Sequence, residues 1–171
     1  MASGKILTVL YPEASIPTAT VFATPDTIDD NSTIEGFIRV LDFAGATANE
    51  HAEWKWTIPD NYAGGGFDYE VHYAMDGTDG SDVQFEVRQI KTVAGDTITA
   101  EDLQGATATD ITDTPNGTAN VFDVSPEGAI SHSNAGSPAV GDQARTRLSR
   151  DYDHAENADD AQVSMIIVTE T

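Results

Sequence analysis

Trp54 and Trp56 stand two residues apart in the run Glu53–Ile58, so an extended strand puts both indoles on one face. On an open face they would form a platform for the C–H face of a sugar ring. On a covered face they are core. Ile58 shares their parity and has no use in a sugar platform, which favours packing; Tyr69 and Tyr73 read the same way. The segment DGTDGSD gathers Asp76, Asp79 and Asp82, oxygen ligands of the kind calcium takes. The EF-hand spacing is absent, and a plain hairpin turn accounts for the same residues. Asp151, Asp153, Glu156, Asp159 and Asp160 form a second acidic loop of equal standing. His51, His72, His132 and His154 pair at no metal-ligand spacing, and there is no His-Glu-x-x-His. His72 falls on the polar parity of its strand and is expected to be exposed. No catalytic residue, cofactor or metal ligand is assigned: cysteine is absent and no Gly-x-Ser-x-Gly elbow occurs. A carboxylate pair for glycoside cleavage stays open, because sequence does not show the separation of two carboxylates. Gly64–Gly66 precedes a strand, with no helix N-terminus to receive a phosphate. Arg145 and Arg147 share a strand face in a chain poor in cations. They read as an intradomain ion pair or as a clamp between subunits.

The elements that must carry these groups are strands. Trp54, Trp56 and Ile58 alternate with polar residues, as do Phe67, Tyr69, Val71, Tyr73 and Met75, and then Val83, Phe85 and Val87. Ile90 breaks the last phase, which predicts a bulge near Arg88 or Gln89. Ile34–Phe43 is apolar on both parities, as a strand covered on both sides would be. Thr97–Leu103, Thr107–Thr112, Ala119–Val124, Ala144–Arg150 and Gln162–Glu170 complete the set. Thr114-Pro115-Asn116-Gly117 is turn chemistry, and Ser125–Asp142 reads as a long loop. No segment of ten or more residues holds a helical period. The expectation is an all-β, jelly-roll-like antiparallel sandwich over residues 33–171, with an extended N-terminal arm over residues 1–32. In the closing strand Val163, Met165 and Ile167 share one parity, and Ile166 and Val168 take the other. One set suits the core and the other, Ile166 with Val168, suits a symmetric subunit contact.

Net charge narrows the partners. Twenty-nine acidic residues against 8 basic ones leave −21, which repels nucleic acid and an anionic membrane alike. The acidity serves solubility at high copy number, or a saline habitat. The first residues, MASGKILTVLYPEA, do not read as a secretory signal, and no run approaches the roughly 20 apolar residues of a membrane span.

Pro59, Tyr62, Gly64 and Gly65 form a Pro-x-x-Tyr-x-Gly-Gly loop between two aromatic strands, and a Gly-Ser-Asp-Val turn follows at Gly80–Val83. With Arg39–Phe43 upstream, and Arg145–Asp151 and Val163–Glu170 downstream, this set resembles the small jelly-roll virion proteins of phages and prophages. The resemblance implies a non-enzymatic, homotrimeric decoration or cement protein. It would sit on the major capsid protein at the outer capsid surface, after assembly in the host cytoplasm. Arg145, Arg147, Ile166, Val168, Ile6, Val9 and Leu10 would form the contacts. A tail or fibre component touching the host is the first alternative, and a carbohydrate-binding module the second.

Overall fold

The alternating runs fold as strands of two antiparallel sheets. The computed structural model describes residues 4–17, 21–29, 37–45, 49–93, 103, 105–151, 153 and 157–171. Its eleven strands are β1 Lys5–Leu10, β2 Thr24–Asp29, β3 Phe37–Phe43, β4 His51–Thr57, β5 Phe67–Met75, β6 Val83–Thr92, β7 Ala108–Asp113, β8 Phe122–Val124, β9 Gly128–Ile130, β10 Gln143–Arg150 and β11 Ala161–Glu170. One short 3₁₀ turn, Pro12–Ala14, is the only helical element among the described residues. The expected strand at Thr97–Leu103 lies largely outside them.

Seven strands form the larger sheet, in the order β2-β3-β11-β5-β8, with β1 also on β11 and β9 also on β5. The smaller sheet runs β4-β10-β6-β7. Each long central strand of the larger sheet carries two short partners end to end. Strand β11 pairs β3 through Ala161–Val163 and β1 through Ile166–Glu170; β5 pairs β9 near Phe67 and β8 near Tyr73.

The core fills from both inner faces. Phe43, Tyr69, Tyr73 and Ile166 from the larger sheet meet Trp54, Phe85, Val87 and Leu148 from the smaller one, all essentially inaccessible. Leu7 and Leu10 of β1 join them. Val9 is half-buried and Ile6 exposed.

Two phase expectations are corrected. Strand β6 has no bulge: its register against β10 runs unbroken from Phe85 to Thr92, so Gln89 takes the inward position and Ile90 faces outward. An amide sits in the core because partners await it there. The Tyr69 hydroxyl and the Thr146 hydroxyl (3.2 Å) both donate to Gln89 Oε1, and Trp56 Nε1 donates to Thr146 Oγ1 at 3.0 Å. The bulge lies instead in β11, between Val163 and Met165, where Ser164 is the extra residue and its hydroxyl donates to the His72 carbonyl at 3.1 Å. That residue switches parity. Val163, Ile166 and Val168 all point inward, and Ile166 and Val168 belong to this chain's own core rather than to a subunit contact.

Candidate functional site

A wide hollow lies where the chain leaves β1 and returns as β2. The Trp54 indole, closed inside, donates Nε1–H to the Tyr11 carbonyl at 2.8 Å and so fixes the exit of β1. Pro12 then opens the 3₁₀ turn, its ring already set for that φ. Residues 16 and 21–23 bridge to the edge of β4. The Ile16 amide donates to the Glu53 carbonyl (2.7 Å), the His51 amide to Val21 (3.0 Å) and the Ala23 amide to His51 (3.0 Å). These bonds cover a strand edge that would otherwise offer itself to another chain. Val21 is held at φ 54°, a conformation unfavourable for a β-branched residue.

The resulting groove has a volume of about 400 Å³. Pro12, Pro17, Pro25 and Phe22 supply apolar walls, and Val40 is its buried floor. Glu13, Asp26 and Arg39 supply charge. Arg39 Nε lies 3.6 Å from Glu13 Oε1, and both side chains are more than half exposed. Such a pair is weakly held and can exchange its partner for a ligand. The guanidinium offers parallel donors and the two carboxylates accept, so the groove can bind paired hydroxyls against an apolar wall. Sequence reasoning missed Glu13, Phe22, Asp26 and Arg39 because it read the first three as an arm and the last as a strand residue. The signal was the spacing of Pro12, Pro17 and Pro25, which keeps the chain out of regular pairing.

The residues singled out in the sequence go elsewhere. Trp54 and Trp56 are buried and form no open platform. Arg145 and Arg147 both reach Glu53 of the same chain: Arg145 Nη2 lies 3.0 Å from Oε2, Arg147 Nε and Nη2 lie 3.0 and 2.5 Å from Oε1. Although burial opposes it, these two guanidiniums hold the Glu53 pKa below its ordinary value. The arginines are thus an intradomain clamp across the β4–β10 ladder. His72 is buried, not exposed: its Nε2 is 2.9 Å from Glu70 Oε1, and its ring packs on Phe122 of β8. His51 sits beside Ser149, its pKa lowered by burial and by Arg147.

The acidic turn does not converge on one point. Asp76 Oδ1 accepts the Asp160 amide, Asp79 accepts Ser81 and Ala158 amides, and Asp82 accepts the Thr114 hydroxyl at 2.5 Å. Buried Arg150 organises the facing loop by donating to the carbonyls of Phe43, Asn157 and Asp159. Among the described residues no group of three or more His, Asp or Glu side chains is arranged to hold a metal ion. Glu156 and His154 lie outside those residues. The glycine run wraps the end of β11: Ala63 and Gly65 amides donate to Glu170 Oε1 at 2.7 and 2.9 Å. A side chain on Gly66 would meet Thr171 Oγ1 at 2.6 Å.

No protein-family profile matches the chain, and no curated protein matches its sequence. Solved structures do match. The family 35 carbohydrate-binding module (CBM35) from Cellvibrio japonicus Abf62 is 13% identical at a TM-score of 0.54, covering 95% of this chain and 93% of that one. A family 35 module from Clostridium thermocellum is 13% identical at 0.52, covering 96% and 98%. An exo-β-1,3-galactanase from Phanerochaete chrysosporium is 15% identical at 0.51, covering 98% of this chain but 30% of the enzyme. These likenesses overturn the resemblance to phage virion proteins, and with it the homotrimer and the capsid protein as partners. The aromatic strands that carried most of the resemblance are what any β-sandwich needs to bury one face per strand. Neither the arginines nor the β11 side chains are left to make the implied contact. The chain has the antiparallel β-sandwich fold that these carbohydrate-binding modules share.

Proposed function

We propose that this chain is a non-catalytic carbohydrate-binding module, and that the groove between β1, β2 and β3 holds the sugar. The groove carries the reading: an apolar wall of Phe22 and three prolines stands beside Arg39, Glu13 and Asp26, all open to solvent. A sugar ring has that dual character, with C–H faces for the wall and hydroxyls for the charged rim. The fold it shares with modules named for binding carbohydrate supports the assignment. With two carboxylates to one guanidinium in the groove and −21 on the chain, the preferred ligand is a neutral glycan.

The test is native electrophoresis through gels containing soluble galactan, xylan or mixed-linkage glucan. At least one should retard the protein. Arg39→Ala removes a charged donor worth about 1.5–3 kcal/mol, so affinity should fall roughly ten- to hundredfold with the fold intact. Unchanged mobility in every gel, or unchanged affinity in Arg39→Ala, would overturn the assignment.

A further inference from the structure

The outer face of the seven-stranded sheet carries a separate hollow of about 160 Å³. One rung of the sheet builds it. Asp42 of β3 pairs with Gln162 of β11, Gln162 with Ala74 of β5, and Ala74 with Phe122 of β8. The small side chain of Ala74 leaves a gap between Gln162 and the Phe122 ring. Ile28 and Ile38, paired across β2 and β3, and Asn120 and Ser164 complete the lining.

Its walls are open and its floor is polar. Phe122 is 56% and Ile38 54% exposed, two large apolar side chains open to solvent on either side of one hollow. Phe122 is propped from behind by the His72 ring, 5.4 Å away, which Glu70 fixes in turn. Gln162 is only 8% exposed, and its Oε1 has no hydrogen-bond partner. A buried acceptor left so is rare and costly; sealed from solvent as it stands, it gains an outside donor when the side chain turns toward the hollow. The neighbouring Asp42 carboxylate disfavours an anion.

We infer that this hollow is a second sugar site, taking one neutral pyranose ring with its C–H face on Phe122 and, once the Gln162 side chain turns into the hollow, a hydroxyl donating to Gln162 Oε1. Ser164 Oγ, whose proton goes to the His72 carbonyl, keeps lone pairs for a second hydroxyl. This site and the groove share no residue. Two sites on one module raise its avidity for a polysaccharide that can reach both.

The experiment is a nitrogen-15 NMR titration of the whole chain with cellotetraose, xylotetraose and β-1,3-galactotriose. It follows the Gln162 side-chain amide and the backbone amides of Phe122 and Ser164. At least one sugar should shift these signals. Phe122→Ala, at an exposed position, and Gln162→Leu should each weaken binding at the sheet face roughly tenfold or more. Arg39→Ala should leave sheet-face binding unchanged while the shifts around the groove need roughly ten- to hundredfold more sugar. If every sugar leaves the Gln162 amide unmoved, or if Phe122→Ala binds as before, the second site is overturned. Shifts confined to the groove would overturn this inference alone, and shifts confined to the sheet face would overturn the groove assignment alone.

Discussion

Asp42 should destabilise the folded chain at neutral pH, and Asp42→Asn should therefore stabilise it. One carboxylate oxygen of Asp42 is buried with no hydrogen-bond partner. Burial, followed by the nearby charges of Asp160, Asp76, Asp26 and Glu50, pushes its pKa from 3.8 to about 6. A shift of about two units is worth at most about 3 kcal/mol, and water reaching the half-buried group reduces that to about 2 kcal/mol. The sign follows from proton binding. Between pH 4 and 6 the folded state holds a proton that the unfolded state releases, so this residue's cost is full above about pH 6 and gone below about pH 4. The substituted amide keeps the shape of the carboxylate without its charge. Urea unfolding of both proteins, followed by fluorescence of the buried Trp54 and Trp56, gives the difference at each pH. The variant should be more stable by about 2 kcal/mol at pH 7.5, with the gap closing as pH falls to 4. A gap independent of pH, or a less stable variant at pH 7.5, would refute the reasoning.

Glu53→Gln replaces the carboxylate that Arg145 and Arg147 share by a neutral amide and should cost about 3 kcal/mol in the same urea assay. Because the folded pKa of Glu53 is depressed, its contribution is present above its unfolded value near 4.3 and is lost as pH falls through the folded value, opposite in sign to Asp42. Gln89→Leu removes the acceptor shared by Tyr69 and Thr146 and should cost about 1–3 kcal/mol, read as a lower urea midpoint. An equal or higher midpoint would show that the buried network adds nothing to stability.

What could be read from the sequence is what period-two alternation dictates. The strands around Trp54, Tyr69 and Phe85 and the turn at Asn116–Gly117 were legible because each residue's neighbours fix which face is buried and where the chain can reverse. Alternation does not report a slipped phase that long-range partners stabilise. Gln89 looks like a polar interruption until Tyr69 and Thr146 face it. Ser164 looks like an ordinary strand residue until the register against His72 shows it as an insertion. Burial of a face also does not say what buries it. The apolar parity of Ile166 and Val168 invited a subunit, where the chain itself supplied the cover. His72 is buried by the same logic, because its ring packs against Phe122 of the neighbouring strand β8, which period-two alternation in its own strand does not report. The two hollows differ in what the sequence shows of them. The groove's lining falls within residues 12–40 but needs the folding back of β3 on β2, whereas the sheet-face hollow brings β2 and β3 to β5, β8 and β11, far away in sequence.

The pairing of Lys5 with Glu170 sets how the domain responds to tension. Strands β1 and β11 run antiparallel, so both ends of the described chain leave the sheet at the same corner. Pulled apart from there, the ladder opens one rung at a time from Lys5 toward Leu10, like a zipper, rather than shearing all at once. Glu170 would yield early, and with it the glycine loop closed around its carboxylate. A tether at one end only leaves this zipper unloaded. Tethered at both ends in series, the domain would surrender β1 and its two core leucines at low force and act as an extensible link.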